Sequence, residues 1–300
     1  MELRQLEYFV TVVEEANFTR AAARLHVAQP GVSAQIRRLE REFGQELLDR
    51  SGRRVSPTEV GAAVLPYARA ALAAVEGARH AVDELAGLVR GHVRVGTVVS
   101  VTSPGLDLPG LLADFHREHP AVEISLSQDN SDRMVEALQD GRLDVAFIGL
   151  GSKAPQGIET QVVHDEPLVV VVGCGDPLAA RTTIALKAIR DRPLITLPRG
   201  TGLRAAIDDA YAAAGFQPHI AFEGSDPTFL TGLAGRGLGV AILPESLAKA
   251  HPTLHVITIT RPRPRGRIAL AWRSEGPISP AARALVELAR NVMVHQPSTH

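Results

Sequence analysis

A single cysteine, Cys174, in 300 residues rules out an intramolecular disulfide and a multi-cysteine zinc site. It lies in the strand-like run VVVVGCG, where a cysteine is expected as a small buried hydrophobe. No uninterrupted apolar run approaches the roughly 18 residues that a membrane span needs, so no membrane association is expected. The opening residues, MELRQLEYFVTVVEEAN, are charged and amphipathic and do not read as a signal peptide, which leads us to expect a cytoplasmic protein. A formal net charge of only −1 argues against a histone-like coat for nucleic acid. The histidines, His164 and His219 among them, are scattered without metal-ligand spacing, so no metal is expected. Neither a phosphate-cradling loop nor a paired nucleophile and base stands out, so neither a catalytic residue nor a cofactor is expected. What the chain does have is core-forming material: 45% of its residues are hydrophobic, ample for the two or three domains that its length suggests.

The charge that is nearly absent overall is concentrated at the front. Between residues 20 and 54 stand eight arginines against four acids, a basic patch that suits a site-specific nucleic-acid binder. The stretch FTRAAARLHVAQPGVSAQIRRLEREFGQELLDRSGRRVSPT (residues 18–58) reads as two short helices around a tight break, followed by an arginine-bearing hairpin. Asn17 can cap the first helix. Ala21, Ala22 and Ala23 keep that helix slim, so that a second one can cross it closely. Pro30 suits a first helical turn, where its missing N–H costs nothing. Val32, Ile36 and Leu39 then recur on one helical face. The opposite face offers Gln29, Ser33, Gln35, Arg37 and Arg38, side chains able to reach base edges or phosphates in a major groove. Leu47–Arg50 and Arg54–Ser56 are short strand candidates joined by Ser51-Gly52-Arg53. They form a wing whose Arg53 and Arg54 are expected on phosphate or in the minor groove. Thr19, Pro30 and Arg50 join this DNA-contacting set; Thr58 is placed equally well to donate to phosphate or to cap the next helix.

From Thr58 to about Val89 the chain is alanine-rich. Val64, Ala68, Ala71, Val75, Ala78, Val82, Leu85 and Val89 alternate in steps of four and three, which is the coiled-coil period. The spacing predicts a helix longer than a small domain needs, and hence a linker that pairs two copies of the chain.

Beyond Gly91, strand and helix patterns alternate, which indicates β-α-β units around a mainly parallel sheet. Two such sets, joined by crossings near Gln161 and Arg265, form two lobes with a cleft between them. Ligands of such folds sit outside the carboxyl ends of the strands, where helix N-termini present free N–H groups. Ser100-Val101-Thr102-Ser103, Ser131 and Thr201-Gly202 each stand at a helix start and read equally as helix caps. Phe229 reads as a cleft or core residue. The run RPRPRGR (261–267) reads as an extended, solvated connector between the lobes.

Taken together, LRQLEYFVTVVEEANFTRAAARLHVAQPGVSAQIRRLEREFGQELLDRSGRRVSPTEVG at the front and GRLDVAFIG, GDPLA and GRGLGVAILP behind resemble a LysR-type transcriptional regulator over essentially the whole chain. The resemblance implies an α/β protein with an N-terminal winged helix-turn-helix (1–58) and a dimerising linker helix (59–90). A two-lobed effector domain follows (91–300; lobe I 91–161 and 267–300, lobe II 162–266), resembling type II periplasmic binding proteins. It implies double-stranded operator DNA and a small-molecule effector as partners, and a homodimer or homotetramer; the hydroxyls and helix N-termini facing the cleft lead us to expect that effector to be an anionic metabolite such as an organic acid. By the same resemblance Ser100, Thr102, Ser131 and Thr201 match effector-contacting positions. The chain departs from the pattern at Ala28 and Ala34, which bear on operator reading, and at Leu48, which bears on wing packing. The rival from another class is a solute binder or carboxylate-processing enzyme fused to an interaction domain.

Overall fold

The computed structural model describes residues 1–52, 54–85, 89–98, 106–151, 154–276 and 279–294. Arg53, Ser100 and Thr102 therefore lie outside the described residues. The chain divides into two compact units, one built on Met1–Val89 and the other on the residues from Arg90 onward.

In the first unit, α1 (Leu3–Glu15), α2 (Phe18–Arg24) and α3 (Gln29–Phe43) precede a two-strand wing, β1 (Leu48–Asp49) and β2 (Ser56–Pro57), and the long α4 (Glu59–Leu85). Phe9, Val12, Ala21, Val32, Ile36, Leu39 and Leu47 are wholly buried and make one core. The Asn17 cap forms as read, and the structure adds a helix stop at Gly44 that the sequence reading did not include. Asn17 accepts from the N–H groups of Thr19 and Arg20 and so caps α2. Gly44, at φ +66°, ends α3 in the left-handed conformation that favours glycine. The wing pairs Leu48 with Pro57 and Asp49 with Ser56. At its turn, Asp49 accepts from both the N–H and the hydroxyl of Ser51, and these bonds hold its carboxyl below the usual range.

The heptad stripe of α4 needs a correction. Its first members do not await a partner: Ala68 is buried, and Val64 and Ala71, with Leu65 and Leu72, pack on the first unit's own core. They do so because α1 runs alongside the first half of α4. Farther along, Val75 is half-buried and Ala78 exposed. The side chains of Val82 and Leu85 lie outside the described set.

The second unit comprises β3 (Gly91–Thr97), α5 (Leu108–Glu118), β4 (Val122–Gln128), α6 (Ser131–Gln139), β5 (Val145–Leu150), β6 (Ile158–Gly173), β7 (Thr183–Ile184), β8 (Leu194–Thr196), α7 (Gly202–Ala213), β9 (Ile220–Glu223), α8 (Pro227–Gly235), β10 (Val240–Pro244), α9 (Glu245–Lys249), β11 (Leu254–Ile259), β12 (Arg265–Arg273) and α10 (Pro280–Val294). The described strands form one ten-stranded sheet with the main order β4-β3-β5-β12-β6-β10-β8-β9. It is less parallel than the sequence pattern implies. β3 is parallel to β4 and β5, and β8 to β9 and β10, but β12 is antiparallel to β5 and β6, and β6 to β10 and β11. The reason is β6, whose 16 residues run without a break from one lobe into the other. The expected crossing near Gln161 is thus interior to a long antiparallel pair, registered from Arg265↔Pro167 to Arg273↔Ile158 with a bulge at Ile268/Ala269, and the one near Arg265 falls where that pairing begins.

Two further expectations change. The RPRPRGR segment does connect β11 to β12 with Arg261, Arg263 and Arg265 exposed, but it is tied down along its length rather than only solvated. Leu186 and Leu168 donate to the carbonyls of Arg261 and Pro264, and Arg265 pairs with Asp165 at 2.6 Å, so the strand pairing begins within it. Cys174 is exposed rather than buried, because the chain has left β6 at Gly173; its thiol donates to the Thr253 carbonyl at 3.3 Å. The apolar run before it behaves as its composition suggests. Leu168, Val170 and Val172 enter one core and Val169 and Val171 the other, so lobe II has helices on both faces of its sheet. No helix among the described residues is long and apolar enough to cross a membrane.

Candidate nucleic-acid interface and effector cleft

The outer face of α3 is free of the packing that its inner face performs. Gln29, Pro30 and Gly31 are exposed at its start, Ser33 is half-buried, and Arg37 is exposed one turn on. A Cβ placed on Gly31 would meet nothing within 4 Å, so the fold itself makes no demand for glycine there. Ala28, at the N-cap, offers no side-chain acceptor, and its carbonyl takes the N–H groups of Gly31 and Val32. With those two N–H groups taken by Ala28 and none on Pro30, the start of α3 offers a partner its exposed side chains, Gln29 first, rather than a row of free backbone donors.

The arginines around this face are not equivalent. Arg24 is paired with Glu14 and Glu15, Arg20 with Glu15, and Arg38 with Glu2 and Glu42. Arg37 and Arg41 lie along their own helix, with Nε on the carbonyls of Ser33 and Arg37 at 3.3 Å. Among the described residues no carboxylate pairs with either. Thr19 and Arg54 are exposed, the first at the start of α2 and the second in the wing. Arg50 is not free: its guanidinium is 2.6 Å from the Glu40 carboxylate and lies over the Phe18 ring. Thr58 takes the capping role, accepting from Gly61 N–H at 3.0 Å and donating to the Glu46 carbonyl at 2.7 Å.

In the second unit a cavity of about 440 Å³ opens between the start of α6, the end of β5 and the start of α7. The lobes touch there through backbone. The N–H of Asp132 donates to the Gly200 carbonyl at 3.1 Å, and a Cβ on Gly202 would stand 2.1 Å from the Gly149 carbonyl carbon. Only glycine permits that approach. Ser131 and Thr201 both line the cavity. Ser131 is buried, and its hydroxyl accepts from Gly149 N–H at 3.0 Å; the cap of α6 is instead Asn130, whose carbonyl oxygen takes Arg133 N–H. Thr201 caps α7 through Arg204 N–H and donates to the Pro198 carbonyl. Asp132 and Glu136 are also in the lining, whose described members include no lysine or arginine. Phe229 stands elsewhere: on α8, 61% exposed and outside the described lining of this cavity. Neither the Asn130 cap nor the Gly149–Gly202 contact was among the sequence expectations. Asn130 before Ser131-Asp132 carries a capping signal that the adjacent hydroxyl obscured, whereas a contact between distant glycines has no local signal.

His164 donates into a buried network rather than a metal site: its Nε2 is 2.9 Å from Glu166, which also accepts from the N–H and hydroxyl of Ser246. Among the described residues no group of histidine, cysteine and acidic side chains is placed to hold a metal ion.

Residues 3–62 match the bacterial regulatory helix-turn-helix proteins of the lysR family, and residues 86–294 match the LysR substrate binding domain. Among curated relatives, the HTH-type transcriptional regulator ShiR of Corynebacterium glutamicum is 35% identical over 97% of this chain and 99% of its own. Among solved structures, full-length OxyR from Pseudomonas aeruginosa superposes with a TM-score of 0.78 at 27% identity, covering 100% of this chain and 99% of that one. The effector binding domain of QuiR in complex with shikimate superposes with a TM-score of 0.61 at 26% identity, covering 68% of this chain and 98% of its own.

Proposed function

The chain belongs to the LysR family of transcriptional regulators, with a DNA-binding helix-turn-helix and an effector-binding domain, and from that premise we propose how it reads DNA and what it senses. α3 enters the major groove by its N-terminal turn, with Gln29 and Ser33 on base edges and Arg37 on a base or phosphate, while Arg54 and Arg53 of the wing hold the backbone. The observation that carries this reading is the exposed first turn of α3 from Gln29 to Gly31, with open space where a Cβ on Gly31 would stand. Two copies, joined through the part of α4 beyond Leu72, would place two such helices on one operator.

The effector we propose is a small organic acid that also bears hydroxyl groups, the chemical class of the shikimate in the QuiR complex. Its carboxylate meets the helix starts at Ser131 and Thr201, where N–H groups and dipoles favour negative charge. Its hydroxyls donate to Asp132 and Glu136, the two acids of the cavity. The lining therefore supports a mixed ligand better than a bare anion. Ser100 and Thr102 belong to the same proposed site.

Selection of operator DNA from random sequence, followed by gel shift, tests the first half. Gln29→Ala is expected to weaken operator binding by about 1–3 kcal/mol and to leave nonspecific affinity unchanged; parental operator affinity would refute the docking. Calorimetric titration with shikimate and related hydroxylated acids tests the second. Thr201→Val and Ser100→Ala are each expected to cost about 0.5–1.5 kcal/mol of effector affinity, and failure of every such acid to bind would refute the class.

A further inference from the structure

Glu40 belongs to α3, yet its carboxylate serves the wing. It is 8% exposed. Its Oε1 accepts from the N–H groups of Leu47 at 3.1 Å and Leu48 at 3.3 Å, and its Oε2 accepts from Arg50 at 2.6 Å. Leu47 and Leu48 are buried, so their N–H groups need an acceptor within the protein. The cross-strand partner of Leu48 is Pro57. Arg50 in turn sets its guanidinium over the Phe18 ring, 5.4 Å from the centroid. One carboxylate thus joins the helix that faces DNA to the first strand of the wing, and one guanidinium joins that strand to α2.

We infer that Glu40 and Arg50 act as one positioning unit that fixes the wing relative to α3, and that Arg50 serves operator binding through this link rather than as a phosphate ligand. The charge of Arg50 is neutralised within the protein, so it adds little to the field that draws in DNA. Its neighbour Arg54, exposed in the wing, is the contrasting case. Glu40 is buried and Arg50 about a third exposed, so removing Arg50 leaves a buried carboxylate without its cation and removing Glu40 frees Arg50; the two substitutions act on one interaction and their effects do not add.

The test uses the full chain and its selected operator, with affinity measured across a range of salt. A cation that neutralises a phosphate contributes about 0.9 to the slope of log affinity against log salt. Glu40→Gln and Arg50→Gln are each expected to weaken operator binding by roughly tenfold, about 1.4 kcal/mol, and the double variant to be no weaker than the poorer single one. The double variant keeps the parental net charge and is expected to keep the parental salt slope, whereas Arg54→Gln lowers it. Amide exchange at Leu47 and Leu48 is expected to quicken in Glu40→Gln while the amides of Phe9 and Val12 hold their protection, a local loosening that a general loss of stability would not give. A slope reduced by about 0.9 per half-site in the double variant would make Arg50 a phosphate ligand and overturn the proposal. So would parental affinity in Glu40→Gln. Should Glu40→Gln fail to fold, Arg50→Gln keeps both backbone bonds of Glu40, and its own salt slope decides the question in the same way.

Discussion

The outer surface of α3 and the cleft of the second unit use polar residues in opposite ways. On α3, Gln29 and Arg37 stand outward on a helix whose other face is packed, and among the described residues Arg37 bonds only along its own helix, to the Ser33 carbonyl, with no carboxylate partner. In the cleft, the hydroxyls of Ser131 and Thr201 already bond to the protein's own backbone, and the lobes meet through Gly149 and Gly202. A partner can therefore be added to the first surface without rearrangement. A ligand at the second must share or replace existing bonds, which couples its binding to how the lobes hold together.

The harshest test of that contrast is Gly202→Val. Its side chain would collide with the Gly149 backbone, which cannot yield as a flexible side chain does. We expect a loss of at least about 3 kcal/mol, the upper end for overpacked sites. The single tryptophan, Trp272, is buried in β12 of the second unit, so its fluorescence in a denaturant titration reports on this unit alone. Unchanged stability would mean that the lobes part freely and that the closed contact is incidental.

Next in size is the division within α4. Ala68→Asp would bury a charge in the first unit's own core and should unfold that unit. Val75→Asp lies beyond that core and is expected to leave the fold intact, to lower the assembly state seen by sedimentation, and to weaken operator binding by at least about tenfold, because two half-sites are no longer linked. If Val75→Asp behaves like Ala68→Asp, the whole helix is internal packing.

A smaller effect separates the lobe junction from both surfaces. Burial disfavours the charged form of Glu166, but hydrogen bonds from His164 and from the N–H and hydroxyl of Ser246 outweigh it and hold the carboxyl below its ordinary value of 4.5. A depressed folded-state pKa gives stability that is present above that value and is lost as pH falls through the folded pKa. Glu166→Gln should therefore flatten the acid limb of the Trp272 stability profile below about pH 4.5 and leave operator binding at neutral pH unchanged.

The same comparison explains what could be read from sequence. The helix-turn-helix is local: Asn17 caps within three residues, Pro30 opens α3, and the stripe Val32, Ile36, Leu39 repeats within two turns. Each signal acts over a span that a sequence displays. The cleft joins Ser131 and Gly149 to Thr201 and Gly202, more than 50 residues away, and its shape rests on β6 continuing as one strand through the expected crossing near Gln161. Hydroxyls at helix starts were visible, but their bonding to distant backbone was not. Phe229 shows the same limit, since an apolar residue on a short helix carries no mark of which side it faces. Arg50 shows a subtler one: basic residues count alike in a sequence, and only the fold reveals which of them is neutralised by a neighbour such as Glu40.

The finest test returns to α3 and concerns a single methyl group. Gly31 occupies the first turn, with open space where a Cβ would stand and no unusual backbone angle to protect. Alanine there restricts the unfolded chain and suits a helix better, so Gly31→Ala should stabilise the first unit by about 0.4–1 kcal/mol. If the start of α3 lies against DNA, the same methyl group occupies the space that a base or sugar edge would fill, and operator affinity should fall even as stability rises. Thermal unfolding of the free protein and gel shifts on the selected operator give the two signs separately. Opposite signs would mean that the glycine serves the partner rather than the fold, the reverse of Gly202, which the fold itself requires. A variant both more stable and equally tight on DNA would move the contact away from the helix start, and Gln29 would lose its place as the reading residue.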